Sequence, residues 1–299
     1  MNEIRSELVA VLIAVQDNAP MVLTLEGGRA LPSGPLEMAH RSLQTGMRLW
    51  VEQQTGHRLG HVEQLYTFAD APDDQETRLI RISYMALTRM DADSSGWRGW
   101  YAFFPWEDQS SEEGEQRRMD IGACLRPWND AAPTPLREGR LLRMAQAFGL
   151  DGHAWDDELV LQRYELLWEA GLVPESPRYV ASEGGAGIGG MAMMRDHRRI
   201  LATAMARLRA KIRYRPVIFE LMPERFTLLQ LQQTVEAVAG RVLHKQNFRR
   251  LIQQQALVEE TPDMAMDLPG RPARLFRFRR EVIGARQAAG SKLPIIRPV

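Results

Sequence analysis

The sequence predicts an α+β chain of two domains, a mixed β-sheet domain followed by a small helical unit closed by a β-hairpin. Three observations predict it. Short apolar runs and two-residue alternation fill the first hundred residues, as at Leu8 to Val15 and Ile80 to Ala86. Apolar spacing of three and four residues takes over from Arg198. Charge divides along the same line. The neutral chain of 299 residues carries 21 Lys and Arg against 9 Asp and Glu after position 194, and 17 against 29 before it. A basic part joined to an acidic part is the footprint of a nucleic-acid module attached to something else.

In chain order, Leu8 to Val15 is a buried strand, and Met21 to Leu25 is its partner across an Asp17-Asn18 turn. Leu31-Pro32-Ser33-Gly34 is a loop. Leu43, Met47, Trp50 and Val51 recur at helical spacing from Arg41 to Gln54, and Gly56 ends that helix. Glu63 to Phe68 and Arg78 to Thr88 are strands. In the second, Ile80, Ile82, Tyr84 and Ala86 alternate with Arg81, Ser83 and Met85, which suits a half-buried strand. Trp97 to Phe104 is an aromatic strand closed by Pro105; its rings suit core packing better than stacking on an adenine. Glu107 to Arg118 is acidic, free of apolar residues, and expected to be a solvated loop. Leu136 to Phe148 and Asp156 to Ala170 are helices, and Gly184 to Gly190 is a flexible linker.

Arg198 to Ile212 is a helix with Leu201, Ala204, Met205, Leu208 and Ile212 on one face and a basic end at Arg207, Arg209, Lys211 and Arg213. The preceding Asp196-His197 fits a helix cap or a coupling between the two parts equally well. Pro216 to Met222 is a short extended element. Thr227-Leu-Leu-Gln230 is a capping box opening a helix that buries Leu228, Leu231, Val235 and Val238, and Gly240 stops it. A second helix runs from His244 to Gln255. Leu257 to Glu260 and Ala273 to Phe278 then pair across Pro269, Gly270, Arg271 and Pro272. Helix, short turn, helix and hairpin is the order of a winged helix-turn-helix.

The second helix sorts its residues into two faces. Phe248, Leu251, Ile252 and Gln255 fall on one side; Gln246, Arg249, Arg250 and Gln253 fall on the other. Arginine and glutamine make bidentate hydrogen bonds to guanine and adenine edges in the major groove. These four are candidate base-reading residues. Lys245, Asn247 and Arg271 are candidates for phosphate.

Arg195-Asp-His-Arg-Arg-Ile-Leu-Ala202, Tyr214-Arg-Pro-Val217, Leu221-Met-Pro-Glu-Arg-Phe-Thr-Leu228, Asn247-Phe-Arg-Arg250 and Gly270-Arg-Pro272 resemble the C-terminal half of the Nudix-related transcriptional regulators of NAD metabolism. Leu31 to Gly34, Gln53-Gln-Thr-Gly56 and Ile80 to Leu87 resemble pieces of a Nudix domain, which makes the fold a Nudix-like mixed-sheet domain with a C-terminal winged helix. The resemblance places a Nudix-like domain at residues 1–194, with an inserted segment at about 107–190, and a DNA-binding domain at 195–299. It implies operator DNA and a nucleotide effector such as ADP-ribose as partners, a homodimer, and a cytoplasmic repressor. By position it makes Gly34, Glu37, Glu52 and Gln53 candidate ligand-binding residues.

The Nudix hydrolase signature, Gly-x5-Glu-x7-Arg-Glu-U-x-Glu-Glu-x-Gly, is degenerate here. Counting back from Gly56 puts Leu49 and Trp50 at Arg-Glu and Gln53 and Gln54 at Glu-Glu. Counting forward from Gly34 puts His40 at the first Glu, Arg48 and Leu49 at Arg-Glu, and Glu52 and Gln53 at Glu-Glu. Mg²⁺ prefers anionic oxygen, and neutral glutamine is no general base. A sensor is therefore expected rather than a catalyst, with a Nudix hydrolase of ADP-ribose-like pyrophosphates as the alternative. No catalytic residue, metal site or required cofactor is expected. The single cysteine, Cys124, excludes an internal disulfide, and His57 and His61 have no third ligand beside them. No apolar run is long enough to span a membrane, and Met1 to Leu12, with Glu3 and Glu7 and no small-residue cleavage site, does not read as a signal peptide.

Overall fold

The computed structural model describes residues 3–57, 59, 62–69, 77–90, 95–179, 188–265 and 273–279. Its central strand is β1 (Glu3–Gln16). A two-residue turn, with Asp17 and Asn18 both at positive φ (49° and 60°), returns the chain as β2 (Ala19–Leu23), antiparallel to β1. β3 (Ser33–Pro35) pairs with β1 beside residues 7–9. β4 (Val62–Phe68) and β5 (Thr77–Leu87) are antiparallel to each other, and β5 runs parallel to β1 from Glu3 opposite Thr77 to Ile13 opposite Leu87. β6 (Trp97–Gly99) closes the other edge, giving the order β4-β5-β1-β2-β6.

Side chains of a strand alternate between faces. Leu8, Ala10, Leu12 and Ala14 join Met47 and Val51 of α1 (Leu43–Thr55) in one core. Val9, Val11 and Ile13 join a second, larger core with Ile200, Ala204, Met205 and Leu208 of α6 (His197–Tyr214). The sheet is thus covered on both faces. This corrects the half-buried reading of β5, where Arg81, Ser83 and Met85 are buried as well. Alternation looked like one wet face because Arg81 and Ser83 are polar, but each has a partner. Ser83 Oγ donates to the Tyr66 carbonyl at 2.8 Å, and Arg81 pairs with Glu7 and Asp196.

The aromatic run is a strand only to Gly99. There it turns into α2 (Trp100–Phe103), which sends Trp100, Phe103, Phe104 and Trp106 together into the larger core. The core-packing reading of these rings holds. The acidic stretch is not a loop: Glu107 is fully buried and α3 (Glu112–Asp130) begins five residues later. Glu112, Glu113 and Glu115 occupy its first turn, where negative charge favours the helix dipole. The apolar anchors Ile121 and Leu125 come only after the polar start. α4 (Thr134–Phe148) and α5 (Val160–Glu169) follow where expected, and half-buried Cys124 sits on α3. Of the glycine run, 184–187 lie outside the described residues. Gly189 and Gly190 are packed rather than a free tether, for Arg198 donates to the carbonyls of Gly189 and Phe103.

Beyond α6, residues 217–221 form a 3-10 helix rather than an extended element. α7 (Leu228–Ala239) has the capping box: Thr227 Oγ1 accepts from Gln230 N–H at 3.1 Å, and Gln230 Oε1 accepts from Thr227 N–H at 2.8 Å. Gly240 ends it at φ 71°. α8 (Lys245–Gln255) and the hairpin β7 (Val258–Ala265) and β8 (Ala273–Phe278) complete a winged helix, with Phe226 bridging to Phe276.

Asp196 and His197 act as couplers. Asp196 makes no capping hydrogen bond but pairs with Arg81 on β5. His197 Nδ1 accepts from the Leu31 N–H at 2.9 Å, so the ring proton sits on Nε2. Burial, helped by Arg81 and Arg195, pushes His197 down from 6.5 to about 4. The unfolded chain therefore binds a proton here before the folded chain does. Stability contributed by neutral His197 is complete above pH 6.5 and drains away towards pH 4, by roughly 3 kcal/mol. Chemical denaturation across that range should show this loss, and His197→Asn should flatten it. An unchanged slope in the variant would contradict the assignment.

Candidate nucleic-acid interface and ligand face

α8 is held by its apolar side. Phe248 and Ile252 are buried in the larger core, and Leu251 and Gln255 are half-buried. Lys245, Gln246, Asn247, Arg249, Arg250 and Gln253 are all exposed. The helix stands where it does because the polar side of α7 fixes the turn before it. Glu236 Oε1 accepts from the Leu243 N–H at 2.8 Å, and Gln232 Nε2 donates to the Leu243 carbonyl at 3.1 Å. Both residues were absent from the sequence reading. Their i, i+4 spacing, with both beside the apolar stripe of α7, was the available signal.

Charge on the winged helix is distributed unevenly. Arg225, Arg274 and Arg277 pair with Asp263, Glu260 and Glu259 along the hairpin. Among the described residues, no ion pair engages Arg249 or Arg250. Their guanidinium groups stay available for an external acceptor, beside glutamines that both donate and accept. The first turn of α8 adds the free N–H groups of a helix N-terminus, a setting that suits phosphate, with Lys245 and Asn247 alongside. Arg271 lies outside the described residues.

The expected ligand residues gather around α1 and β3, though not as a set of carboxylates. Gly34 is buried under the Trp50 ring, and a Cβ there would stand 2.4 Å from it. Trp50 Nε1 donates to the Pro35 carbonyl at 2.9 Å. Gln54 makes two bonds to Ser33, accepting from its N–H at 3.2 Å and donating to its carbonyl at 2.7 Å. Trp50 and Gln54, one turn apart, thus clamp β3 from positions that carry signature carboxylates in a hydrolase when the signature is counted back from Gly56. Glu52 and Gln53 are exposed, and Glu52 lies about 200° around the helix from Trp50. Glu37 is exposed in a turn, its N–H bonded to His40 Nδ1 at 3.1 Å. Among the described residues, no three His, Cys, Asp or Glu side chains converge as a metal site. His57 rests edge-on against Trp97, and His61 lies outside the described residues. No described helix is long and apolar enough to cross a membrane. A cleft of about 600 Å³ lies elsewhere, between the 3-10 helix and the hairpin, lined by Arg89, Phe219, Glu224, Arg277 and Phe278. None of Gly34, Glu37, Glu52 and Gln53 borders it.

Comparison with known proteins bears on the winged helix and on the overall fold. Residues 218–278 match the family model of the NrtR DNA-binding winged helix domain. Over 83 residues the chain is 43% identical to the ADPR responsive transcriptional repressor NtrR of Acinetobacter baylyi. That match takes in 28% of this chain and 33% of the repressor, so the chain spans about a third of that relative's length. The crystal structure of Shewanella oneidensis NrtR complexed with a 27mer DNA superposes with a TM-score of 0.55 at 18% identity, over 93% of this chain and 95% of that one. A MutT/nudix family protein from Enterococcus faecalis gives 0.52 at 14%, over 93% and 88%. The chain therefore has the fold of a Nudix-like mixed-sheet domain followed by a winged helix, and its residues 218–278 match the NrtR DNA-binding winged helix domain.

Proposed function

We propose that this chain is a DNA-binding transcriptional repressor whose sheet domain senses a nucleotide such as ADP-ribose. The observation that carries the reading is the exposed face of α8, where Gln246, Arg249, Arg250 and Gln253 stand above a buried Phe248–Ile252 base and, among the described residues, no ion pair engages either arginine. Lys245, Asn247 and Arg271 position the helix on phosphate, and the four face residues read bases. The Acinetobacter relative is named as an ADPR responsive repressor, which supports the effector and the sign of control. The sensing part spans 1–194 and the DNA-binding part 195–299. Two copies bind a two-part operator in the cytoplasm, and the effector shifts the dimer between two geometries. To release DNA, the effector must favour one geometry by several kcal/mol.

The donor set supports sensing without hydrolysis. Trp50 and Gln54 use their polar atoms on β3, and Glu37 and Glu52 are too few to hold Mg²⁺ as an enzyme does. Gly34, Glu37, Glu52 and Gln53 remain the proposed ligand residues around α1 and β3, with Gly34 buried beneath Trp50 and Glu52 on the other side of α1. Incubation of the protein with ADP-ribose and Mg²⁺ is expected to yield no AMP; steady AMP release would make the chain an enzyme.

Two DNA measurements test the reading. The protein should bind DNA upstream of its own or neighbouring genes far better than random duplex, and ADP-ribose should weaken that binding. Equal binding to both duplexes at moderate salt would sink the repressor. Arg249→Ala should cost about 1–3 kcal/mol on the cognate site and relax preference at one base pair. An equal loss on cognate and random DNA would reduce Arg249 to a phosphate contact.

A further inference from the structure

α7, the first helix of the helix-turn-helix, is capped from outside the winged helix. An α-helix leaves its last carbonyls without intrahelical partners. Here the Tyr101 hydroxyl donates to the Ala237 carbonyl at 2.6 Å, Arg209 Nε to the Val238 carbonyl at 2.9 Å, and the Gln109 N–H to the Gly240 carbonyl at 2.7 Å. Tyr101 and Gln109 belong to the segment that follows β6, and Arg209 to α6. A guanidinium at this end also complements the helix dipole.

A second set of contacts holds the capping groups in place. Glu107 accepts from Arg163 Nε at 2.6 Å and Nη2 at 2.8 Å, and pairs with Arg209 Nη1 at 2.5 Å. Burial alone would raise its pKa; the two arginines outweigh that and keep it ionised. Burial pushes Tyr101 up to about 12, so its hydroxyl keeps the proton it donates. Asp157, 1% exposed ahead of α5, pairs with Arg213 of α6 at 3.1 Å and with Arg241 at 3.2 Å. Arg241 starts the turn into α8. The approach leaves no slack: a Cβ on Gly240 would stand 2.3 Å from the Glu107 carbonyl oxygen.

We propose that Tyr101, Glu107, Gln109 and Asp157 are positioning residues for DNA reading, holding α7 and hence α8 in one orientation on the sheet domain. The proposal rests on the DNA-reading assignment above. Its consequence is that each recognition helix moves with its own sheet domain. Half-site spacing is then set by how two sheet domains sit together, with no hinge inside a chain.

The test uses the full chain with Cys124→Ser and spin labels on cysteines placed at Gln116 of α3 and Gln254 of α8, both exposed. One narrow distance distribution is expected, with or without ADP-ribose. Adding Tyr101→Phe and Asp157→Asn should broaden it. Without labels, the same pair of substitutions should lower operator affinity about tenfold and loosen the preference for one half-site spacing, a readout that simple destabilisation leaves unchanged. A broad distribution in the parent, or an unbroadened one in the variant, overturns the proposal. If the double variant does not fold, Tyr101→Phe alone and the parent distribution decide. The distances need no DNA, so failure to select an operator marks the loss of the repressor reading separately.

Discussion

The structure turns on a carboxylate buried away from the surface. Glu107 is fully buried, and its two oxygens are shared between Arg163 of α5 and Arg209 of α6. Removing such a charge from water costs several kcal/mol, which only close pairing offsets; removing one partner costs about 3–5 kcal/mol. What the cluster supplies is geometry. Arg163 also donates to the carbonyls of Ala147 and Asp156, and Arg209 to that of Val238. One carboxylate therefore fixes where α4, α5, α6 and α7 meet. Hydrophobic packing alone would tolerate small slides between these helices, whereas a buried ion cluster has one good arrangement.

α6 is the element through which this reaches the rest of the chain. Its apolar side joins the core that contains Val9, Val11 and Ile13 of the sheet and Val235, Phe248 and Leu257 of the winged helix. Its polar side pairs outward at each level: Arg198 with Glu175, Arg199 with Glu165, Arg209 with Glu107, Lys211 with Glu63 and Arg213 with Asp157. The division of charge along the sequence thus has two causes. Part of the basic excess after position 194 neutralises acids of the first part inside the protein. Another share, Lys245, Arg249 and Arg250 on α8, stands in solvent. The first share binds the parts together, and the second faces outward.

Legibility in the sequence followed the range of the interactions. The capping box at Thr227, the stop at Gly240 and the two faces of α8 are local patterns, and each stands where the spacing put it. β1, β2, α1, β4 and β5 were equally plain. The turn of the aromatic run into helix had a missed signal: Trp97, Trp100, Phe103 and Phe104 recur at three and four residues, not two. Glu107 had none. An acid next to more acids reads as solvent-facing, and its partners lie 56 and 102 residues away. The same holds for Arg81 with Asp196 and for Tyr101 with Ala237. At the candidate ligand face the loss of signature carboxylates was readable, but the use of Trp50 and Gln54 to clamp β3 was not, because a strand of 3 residues shows no period of its own.

The central claim is that sheet, helical segment and winged helix form one cooperative unit built on α6. Differential scanning calorimetry of the full chain tests it most directly. The account predicts a single transition whose calorimetric and van't Hoff enthalpies agree. Two separated transitions, with the winged helix melting apart from the sheet, would contradict it.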